Sequence, residues 1–570
     1  MATKDKTAPR LKATNTDVDL LVAGTGTGML AALAGHKAGL NVLMVEASEY
    51  VGGSTTLSGG AFWIPANSII RKSGGYDSAE AARDYLDALV GEDAPKEKRD
   101  AYMSEGPRAV DLMEEMTDME FLWAKGYSDY HPELPGGSAV GRTCEAYPFD
   151  VKTHLGEHRS WLNPPAFGAP VPMPVTGADY KWMNLMVKAP GKALPTIAKR
   201  VGQGIGGMAF GREYVATGQA LGGGLFAGLL KAGIPIWTET SLVRLIEEDG
   251  RVTGAVVCQD GTEYTVTARK GVIVSTGGFE WDMEMRHEHQ AESLKAWTHG
   301  TKDNFGGGIK AGVEVGGATD LMDQAWWFPS IAPIGDEKPT IMLAERSLPG
   351  SFMVGADGRR FINESIDYMS FGQEWIRREN EGDPIGDMWI VFDQEYKNSY
   401  VFGAVSYPRT PLPQQWYDHG IAVDADSPRE LAEKMGVPAD AFVDQFESFN
   451  KGALTGYDRE FDRGASRYDN YYGDPTVSPN PNLRALTGKL YAVRVVNSDL
   501  GTCGGLVADE HARVRREDGS VIEGLYAIGN AAANAFGKTY PGAGATIGQG
   551  LVFGMLAAEH AATRDVPATN

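Results

Sequence analysis

Gly24-Thr25-Gly26-Thr27-Gly28 follows the apolar run 19–23 and precedes an alanine-rich stretch, 29–38, at helical spacing. Such a turn lets the backbone come within contact distance of a pyrophosphate, which a Cβ would block. The helix behind it turns its free N–H groups and the positive end of its dipole towards the phosphate charge. Glu46 ends the next apolar run, 22 residues after Gly24, where a carboxylate accepts hydrogen bonds from a ribose hydroxyl, with Ala47 beside it. The usual Gly-x-Gly-x-x-Gly would put its third glycine at 29, but that residue is Met29 and the glycine is Gly28. Alone the turn is a weak signal, since a tight turn before an ordinary helix reads the same way. With strand, helix and Glu46 in place it reads as a dinucleotide site.

The next loop selects the dinucleotide. Val51-Gly52-Gly53-Ser54-Thr55-Thr56-Leu57-Ser58-Gly59-Gly60 is a second glycine-rich loop directly after the ribose acid. A nicotinamide has no use for it, whereas a flavin lays its ribityl chain and ring flat against exposed backbone. Far downstream, Gly529-Asn530 follows the run 525–528, and Gly542-Ala543-Gly544-Ala545-Thr546-Ile547 opens another helix. That helix N-terminus can face the pyrimidine end of a flavin, which gains negative charge on reduction. The cofactor is therefore expected to be FAD. Its expected contacts are Gly24, Gly26, Gly28, Glu46, Ala47, Gly53, Ser54, Thr55, Ser58, Gly59, Gly60, Val243, Gly277, Gly278, Gly529, Asn530, Ala545 and Ile547.

These loops need a scaffold. Strand, glycine turn, helix, strand over 19–46 is the start of a βαβ unit. From Leu242 the β-rich text is cut by Asp249-Gly250 and Asp260-Gly261, strong hairpin signals, giving three antiparallel strands and then a return strand over 272–275. Residues from about 320 to 489 lose the glycine rhythm and gain aromatics and prolines. A last short strand, 525–528, and a helix, 544–562, follow. The expected fold is α/β: a Rossmann-like FAD-binding domain of glutathione reductase type (1–322 and 490–570) with an inserted α+β catalytic domain (323–489).

Composition excludes several classes. With 570 residues, 42% hydrophobic and 22% charged, the chain is ordinary globular material and not a disordered one. Lys+Arg 53 against Asp+Glu 75 leaves −22, which repels a nucleic-acid backbone. Three scattered cysteines provide neither a disulfide framework nor a metal site, which fits a reducing, cytoplasmic setting. The first 18 residues read as a flexible polar tail, and no apolar run reaches the ~18 residues of a spanning helix. Residues 180–212 hold six basic side chains and no acidic one, interleaved with Trp182, Met183, Leu185, Met186 and Phe210. One reading is a solvated lid helix, favoured because prolines and glycines interrupt the helical pattern. The other is a peripheral membrane contact resting on anionic lipid headgroups.

The motifs GGSTTLSGGAFWIP, DLMDQAWW, FINESIDY, SDLGTCGGL, GLYAIGN and TYPGAGATIG run in the order seen in the fumarate reductase-like flavoproteins. More closely, the chain resembles the 3-ketosteroid Δ1-dehydrogenases over nearly its whole length, apart from a longer stretch at 140–212. The resemblance implies desaturation of ring A of a 3-ketosteroid at C1–C2, with reoxidation by a quinone or an electron-transfer protein. In Tyr540-Pro541-Gly542-Ala543-Gly544 it implies that the Tyr540 hydroxyl and the Gly544 N–H bind the C3 carbonyl. Tyr368, in the segment 363–368, is implied as the base, and Tyr130 as the phenol that supports it.

Those residue types suit the reaction. It removes a feebly acidic proton α to a ketone and a hydride from the β carbon. Two donors on the carbonyl oxygen stabilise the forming enolate, each worth about 2.7–4 kcal/mol in the transition state. A phenol tolerates an apolar pocket better than a carboxylate, but its reference pKa of about 10 is too high at neutral pH. A hydrogen bond from Tyr130 to the Tyr368 phenolate would lower it. Phe62, Trp63, Trp326 and Phe328 are expected against the steroid, although each reads equally well as core.

Rival readings differ in charge and chemistry. A dicarboxylate reductase needs cations, yet Gly501-Thr502-Cys503-Gly504-Gly505 lacks the family histidine and Tyr540-Pro541-Gly542 stands where an arginine is usual. A Δ4-(5α)-dehydrogenase of the same ring shares the proton abstraction. A steroid or flavin carrier would have no use for the tyrosines.

Overall fold

The computed structural model describes residues 8–165 and 171–564. The strand Thr16–Ala23 pairs in parallel with Val42–Val45 on one side and with the end of Thr262–Val274 on the other. Ile236–Trp237 continues the sheet beyond Val42–Val45, and Val521–Ala527 lies in parallel beside Val272–Val274. Alternation splits the strand residues between two cores. Leu20, Val22, Val42 and Met44 face one layer, and Leu21, Ala23, Leu43 and Val45 the other. Full burial of each such Val or Leu contributes roughly 1.5–3 kcal/mol. The helices Gly28–Lys37 and Ala545–Thr563 cover the first face, and a Cβ on Gly554 would already touch Ala31 Cβ at 3.3 Å. Small residues therefore let the two helices that open on the glycine loops pack together.

The three antiparallel strands are Thr240–Glu248, Arg251–Gln259 and Thr262–Val274. The expected separate return strand is absent as such. Thr262–Val274 is one strand: its antiparallel pairing ends at Thr267 opposite Gly254, while its parallel pairing with Thr16–Ala23 already begins at Val266 opposite Thr16 and, after a register shift, runs from Gly271 to Val274.

The inserted layer is a six-stranded antiparallel sheet built around Leu490–Thr502, which pairs with Ala325–Ile331, Met388–Asp393 and Ala422–Ala425. These pairings run from Leu490 opposite Asp393 to Thr502 opposite Ala325, so the whole of Leu490–Thr502 is hydrogen-bonded into this sheet. The helix Tyr368–Glu381 lies on Ala325–Ile331 so closely that a Cβ at Gly372 would collide with the Trp327 side chain.

Two expectations need correction. Residues 1–7 of the expected tail lie outside the described residues, but 8–15 are docked: Arg10 lies 4.4 Å over the Trp161 ring and the Ala13 N–H donates to Gln259. In the stretch 140–212, Thr143–Ala146 is the middle strand of a three-stranded sheet with Ala61–Trp63 and Phe121–Trp123. Prolines and glycines do not break the basic segment either. Gly177–Asn184 starts with a capping box at Thr176 and Asp179, and Pro190–Ala209 runs 20 residues with Pro190 in its first turn.

Candidate active site

The three glycine loops meet. Gly24 has φ +104 and Gly28 opens its helix; a side chain on either would collide with Ser275, at the end of the neighbouring strand. The close approach of helix and sheet that the displaced third glycine must permit is thus made at 28. A Cβ on Gly53 would meet only the Gly26 nitrogen, at 3.9 Å, and one on Gly59 nothing within 4 Å. The first and second loops thus face one another across open space. Gly529 reaches the same place, its Cβ position 3.3 Å from Thr27 Oγ1.

Thr25 couples the loops. Its N–H donates to Glu46 at 2.9 Å and its hydroxyl accepts from the Gly52 N–H at 2.8 Å. Both helices opening here, at Thr27 and at Gly544, have no side-chain cap, which leaves N–H groups for a ligand. The Ser54 hydroxyl accepts from the Thr301 N–H at 3.1 Å, and Glu280 Oε2, buried beside Gly278, has no hydrogen-bond partner. Val243 is the extra residue of a bulge, between Leu242 opposite Val257 and Arg244 opposite Val256, and it is exposed. A cradle of exposed backbone, two uncapped helix ends and a buried acid fit FAD.

The catalytic candidates converge from three parts of the chain. Tyr130 Oη donates to Tyr368 Oη at 2.9 Å. Tyr540 lies against both: its ring stacks on Tyr130 at 5.3 Å and meets Tyr368 edge-on at 5.5 Å. The backbone N–H groups of Thr546 and Gly544 both act on the Tyr540 hydroxyl, so the hydroxyl and the Gly544 N–H share one spot. Gly544 sits at φ +89, and a Cβ there would collide with the Ala61 carbonyl. Only glycine can bring that N–H to the phenol.

Neighbouring groups fix this arrangement. The Pro541 carbonyl accepts from the Tyr130 N–H at 3.1 Å and from Tyr85 Oη at 2.7 Å, tying the Tyr130 loop to the Tyr540 turn. Asp129, fully buried, accepts from Trp63 Nε1 at 2.8 Å and is ion-paired with Arg142. Arg346 donates to the Glu364 carbonyl at 2.6 Å and to the Ile366 carbonyl, holding the segment that ends in Tyr368.

The expected aromatic residues divide into two pairs. Trp326 meets Tyr540 edge-on at 4.8 Å and donates to Asn530 Oδ1 at 2.9 Å, while Phe328 packs on Tyr368 at 4.7 Å. Phe62 and Trp63 lie one layer back. Phe62 packs on Phe121, and Trp63 stacks on Tyr102 and backs the Gly542 turn.

Sequence reasoning missed Tyr127, Tyr468, Tyr471 and Tyr472. Tyr127 stacks on Tyr471 at 4.3 Å and its ring also meets Tyr472 edge-on and Tyr130 at a tilt, and Tyr468 packs on Tyr130 at 4.7 Å. One signal was present: Tyr468, Tyr471 and Tyr472 are three and four residues apart, a spacing that gathers side chains on one helical face.

Burial dominates the electrostatics. It pushes the Tyr540 hydroxyl up to about 12 and Tyr130 well above an ordinary phenol, so both stay protonated donors. Burial also raises Tyr368; the hydrogen bond from Tyr130 acts downwards, as the sequence suggests, but does not offset it. Gly501 stands in the place of the missing histidine; Cys503, two residues on, is buried, and its thiol lies well above the usual range. It adds no positive charge.

Sheet, glycine loops and uncapped helices define an FAD-dependent flavoprotein, and residues 19–547 match the family model described as FAD binding domain. The 3-oxosteroid 1-dehydrogenase of Mycolicibacterium smegmatis is 41% identical over 96% of this chain and 97% of its own length. The 4-oxocyclohexanecarboxylate 2-dehydrogenase of Sinomonas cyclohexanicum is 34% identical over 95% of this chain and 92% of its own. Among solved structures, the 3-ketosteroid Δ1-dehydrogenase from Sterolibacterium denitrificans in complex with 1,4-androstadiene-3,17-dione superposes with TM-score 0.91. That pair is 35% identical, covering 96% of this chain and all of the other. The chain belongs to this FAD-binding family, in the group formed by the 3-oxosteroid 1-dehydrogenases.

Proposed function

We propose that the protein uses FAD to introduce the C1–C2 double bond into ring A of 3-ketosteroids such as 4-en-3-one steroids. The observation that carries this reading is the Tyr130–Tyr368 hydrogen bond of 2.9 Å beside the Tyr540 hydroxyl and the Gly544 N–H. A ketone oxygen accepting from Tyr540 and Gly544 sets its ring against Tyr368, which takes the proton from C2. Tyr130 donates to the Tyr368 oxygen and stabilises it while it carries negative charge. Trp326 and Phe328 exclude water around these phenols. When bound, FAD supplies the acceptor for the hydride from C1. Its reoxidation falls to a quinone or an electron-transfer protein.

Incubation with 4-androstene-3,17-dione and an artificial electron acceptor tests this. The expected product is 1,4-androstadiene-3,17-dione. Failure with this steroid, but a Δ4 product from a 5α-reduced steroid, would favour the alternative Δ4-(5α) activity. The known Δ4-(5α) enzyme from Rhodococcus jostii RHA1, at 19% identity and TM-score 0.66, shares the fold alone.

We further propose that Pro190–Ala209 rests on anionic lipid. Among the described residues no helix is long and apolar enough to cross a membrane. This helix nonetheless exposes Leu194 (59%), Ile205 (52%) and Met208 (59%), with Phe210 (84%) just past its end. Lys192 and Lys199 are also exposed on it, in a stretch without acids until Glu213. The protein should co-sediment with phosphatidylglycerol vesicles and not with phosphatidylcholine, and a Leu194→Glu/Phe210→Glu variant should stay in solution. Equal recovery with both lipids, or with the variant, would contradict it.

A further inference from the structure

Three consecutive residues each hold a different wall of the site. Asp129 fixes Trp63, Tyr130 reaches Tyr368, and His131 extends to Asp367, the residue before Tyr368. Asp367 caps the Tyr368–Glu381 helix through Oδ1, which accepts from the Ser370 N–H at 3.0 Å. Its Oδ2 is buried without a hydrogen-bond partner and lies 3.5 Å from His131 Nε2. On its other side, His131 Nδ1 lies 3.8 Å from Glu133. Glu133 in turn accepts from Ser466 Oγ at 3.2 Å, and Ser466 caps the Arg467–Tyr471 helix that brings Tyr468 onto Tyr130. One imidazole thus stands between the caps of the two helices whose tyrosines pack on Tyr130. The His131 N–H donates to Tyr85 Oη at 3.3 Å, and that hydroxyl also holds Pro541.

We propose that His131, as an imidazolium between Asp367 and Glu133, is the positioning residue that fixes Tyr130 against Tyr368. The phenol pair is then aligned while His131 carries its proton and loosens when it does not.

The surroundings favour the charged ring. Burial opposes the charge, but Glu133, Asp367 and, two residues away, Asp129 outweigh it and raise the imidazole above its ordinary value. Asp129 is itself paired with Arg142, and the Tyr85 hydroxyl accepts from the His131 backbone N–H. Asp367 is 1% exposed and His131 23%, so the pair is largely shielded from salt. Because the folded value is raised, the contact is complete below the unfolded value of about 6.5 and is lost as pH rises through the folded one.

The inference rests on the proposed reaction, and its test separates the two. His131→Asn, His131→Lys and Asp367→Asn, which keeps the Oδ1 cap, are compared with the parent for steroid turnover against pH. At about pH 6, His131→Asn is expected to lose ~10–100-fold in kcat, the cost of an ångström-scale misplacement. KM for the steroid and FAD content should be unchanged. The ratio of parent to variant should fall towards one as pH rises through the raised folded value and the parent imidazole becomes neutral. His131→Lys should recover most of the loss, and Asp367→Asn should match His131→Asn. A crystal structure of His131→Asn should show the Tyr130 and Tyr368 hydroxyls parted. A variant with parental kcat at low pH, a ratio constant with pH, or an intact hydroxyl contact overturns the proposal. Should the parent itself not turn over steroids, the proposed function fails, while the hydroxyl distance in the variant still decides the role of His131.

Discussion

The hydroxyls of Tyr130 and Tyr368 lie 2.9 Å apart across 238 residues of chain, with Tyr130 as donor and Tyr368 as acceptor. Tyr368 begins the helix that packs on the six-stranded sheet, whereas Tyr130 lies in the loop after the Phe121–Trp123 strand of the three-stranded sheet. The two phenols therefore meet only when the two parts of the molecule are docked. The direction of the bond matters as well. A donor on the Tyr368 oxygen favours its ionised form over its neutral one.

Tyr130→Phe removes that donor and little else, since its ring still packs on Tyr540 and Tyr468. A hydrogen bond to a charged group is worth about 1.5–3 kcal/mol, so kcat should fall roughly 10–100-fold. FAD content and steroid KM should stay near the parent values in steady-state assays. A variant as fast as the parent would remove Tyr130 from the mechanism.

Loss of a carbonyl donor should act on the enolate. Tyr540→Phe should lower kcat by about 10²–10³, the effect of one oxyanion donor. Gly544→Ala must also move, because φ +89 disfavours any side chain and the new Cβ meets the Ala61 carbonyl. It should lose at least as much turnover and melt at a lower temperature. Undiminished turnover in either variant would place the ketone elsewhere.

The pH dependence follows from burial. With the Tyr368 phenol held above its usual value, the base is mostly protonated at neutral pH. The His131→Asn variant, free of the imidazole's own transition, should gain about tenfold in kcat/KM per pH unit between about pH 7 and 9. A flat profile over that interval would contradict a phenol as the base.

Much of the cofactor cradle was legible because glycine carries its reason with it: Gly24 and Gly28 are needed where a Cβ would strike Ser275, and Gly544 where it would strike Ala61. The meeting of the two phenols was legible only through resemblance, for no local pattern ties residue 130 to residue 368. The other phenols stayed hidden for the same reason: Tyr127 meets Tyr471 only after the 467–471 helix docks. Leu490–Thr502 reads as apolar β text that suits either sheet, and only its pairing with Met388–Asp393 assigns it to one. Pro195 misled in the opposite sense. One turn into a helix it removes a single backbone hydrogen bond, and the helix runs on to Ala209.

The most direct test of the central claim is anaerobic stopped-flow mixing of the Tyr368→Phe variant with 4-androstene-3,17-dione, following the yellow absorbance of bound FAD. The parent should bleach rapidly. The variant should hold FAD and bind steroid with its tyrosine pair broken, yet bleach about 10²–10⁴-fold more slowly, the usual contribution of a general base. Bleaching at the parent rate would show that the C2 proton leaves without Tyr368.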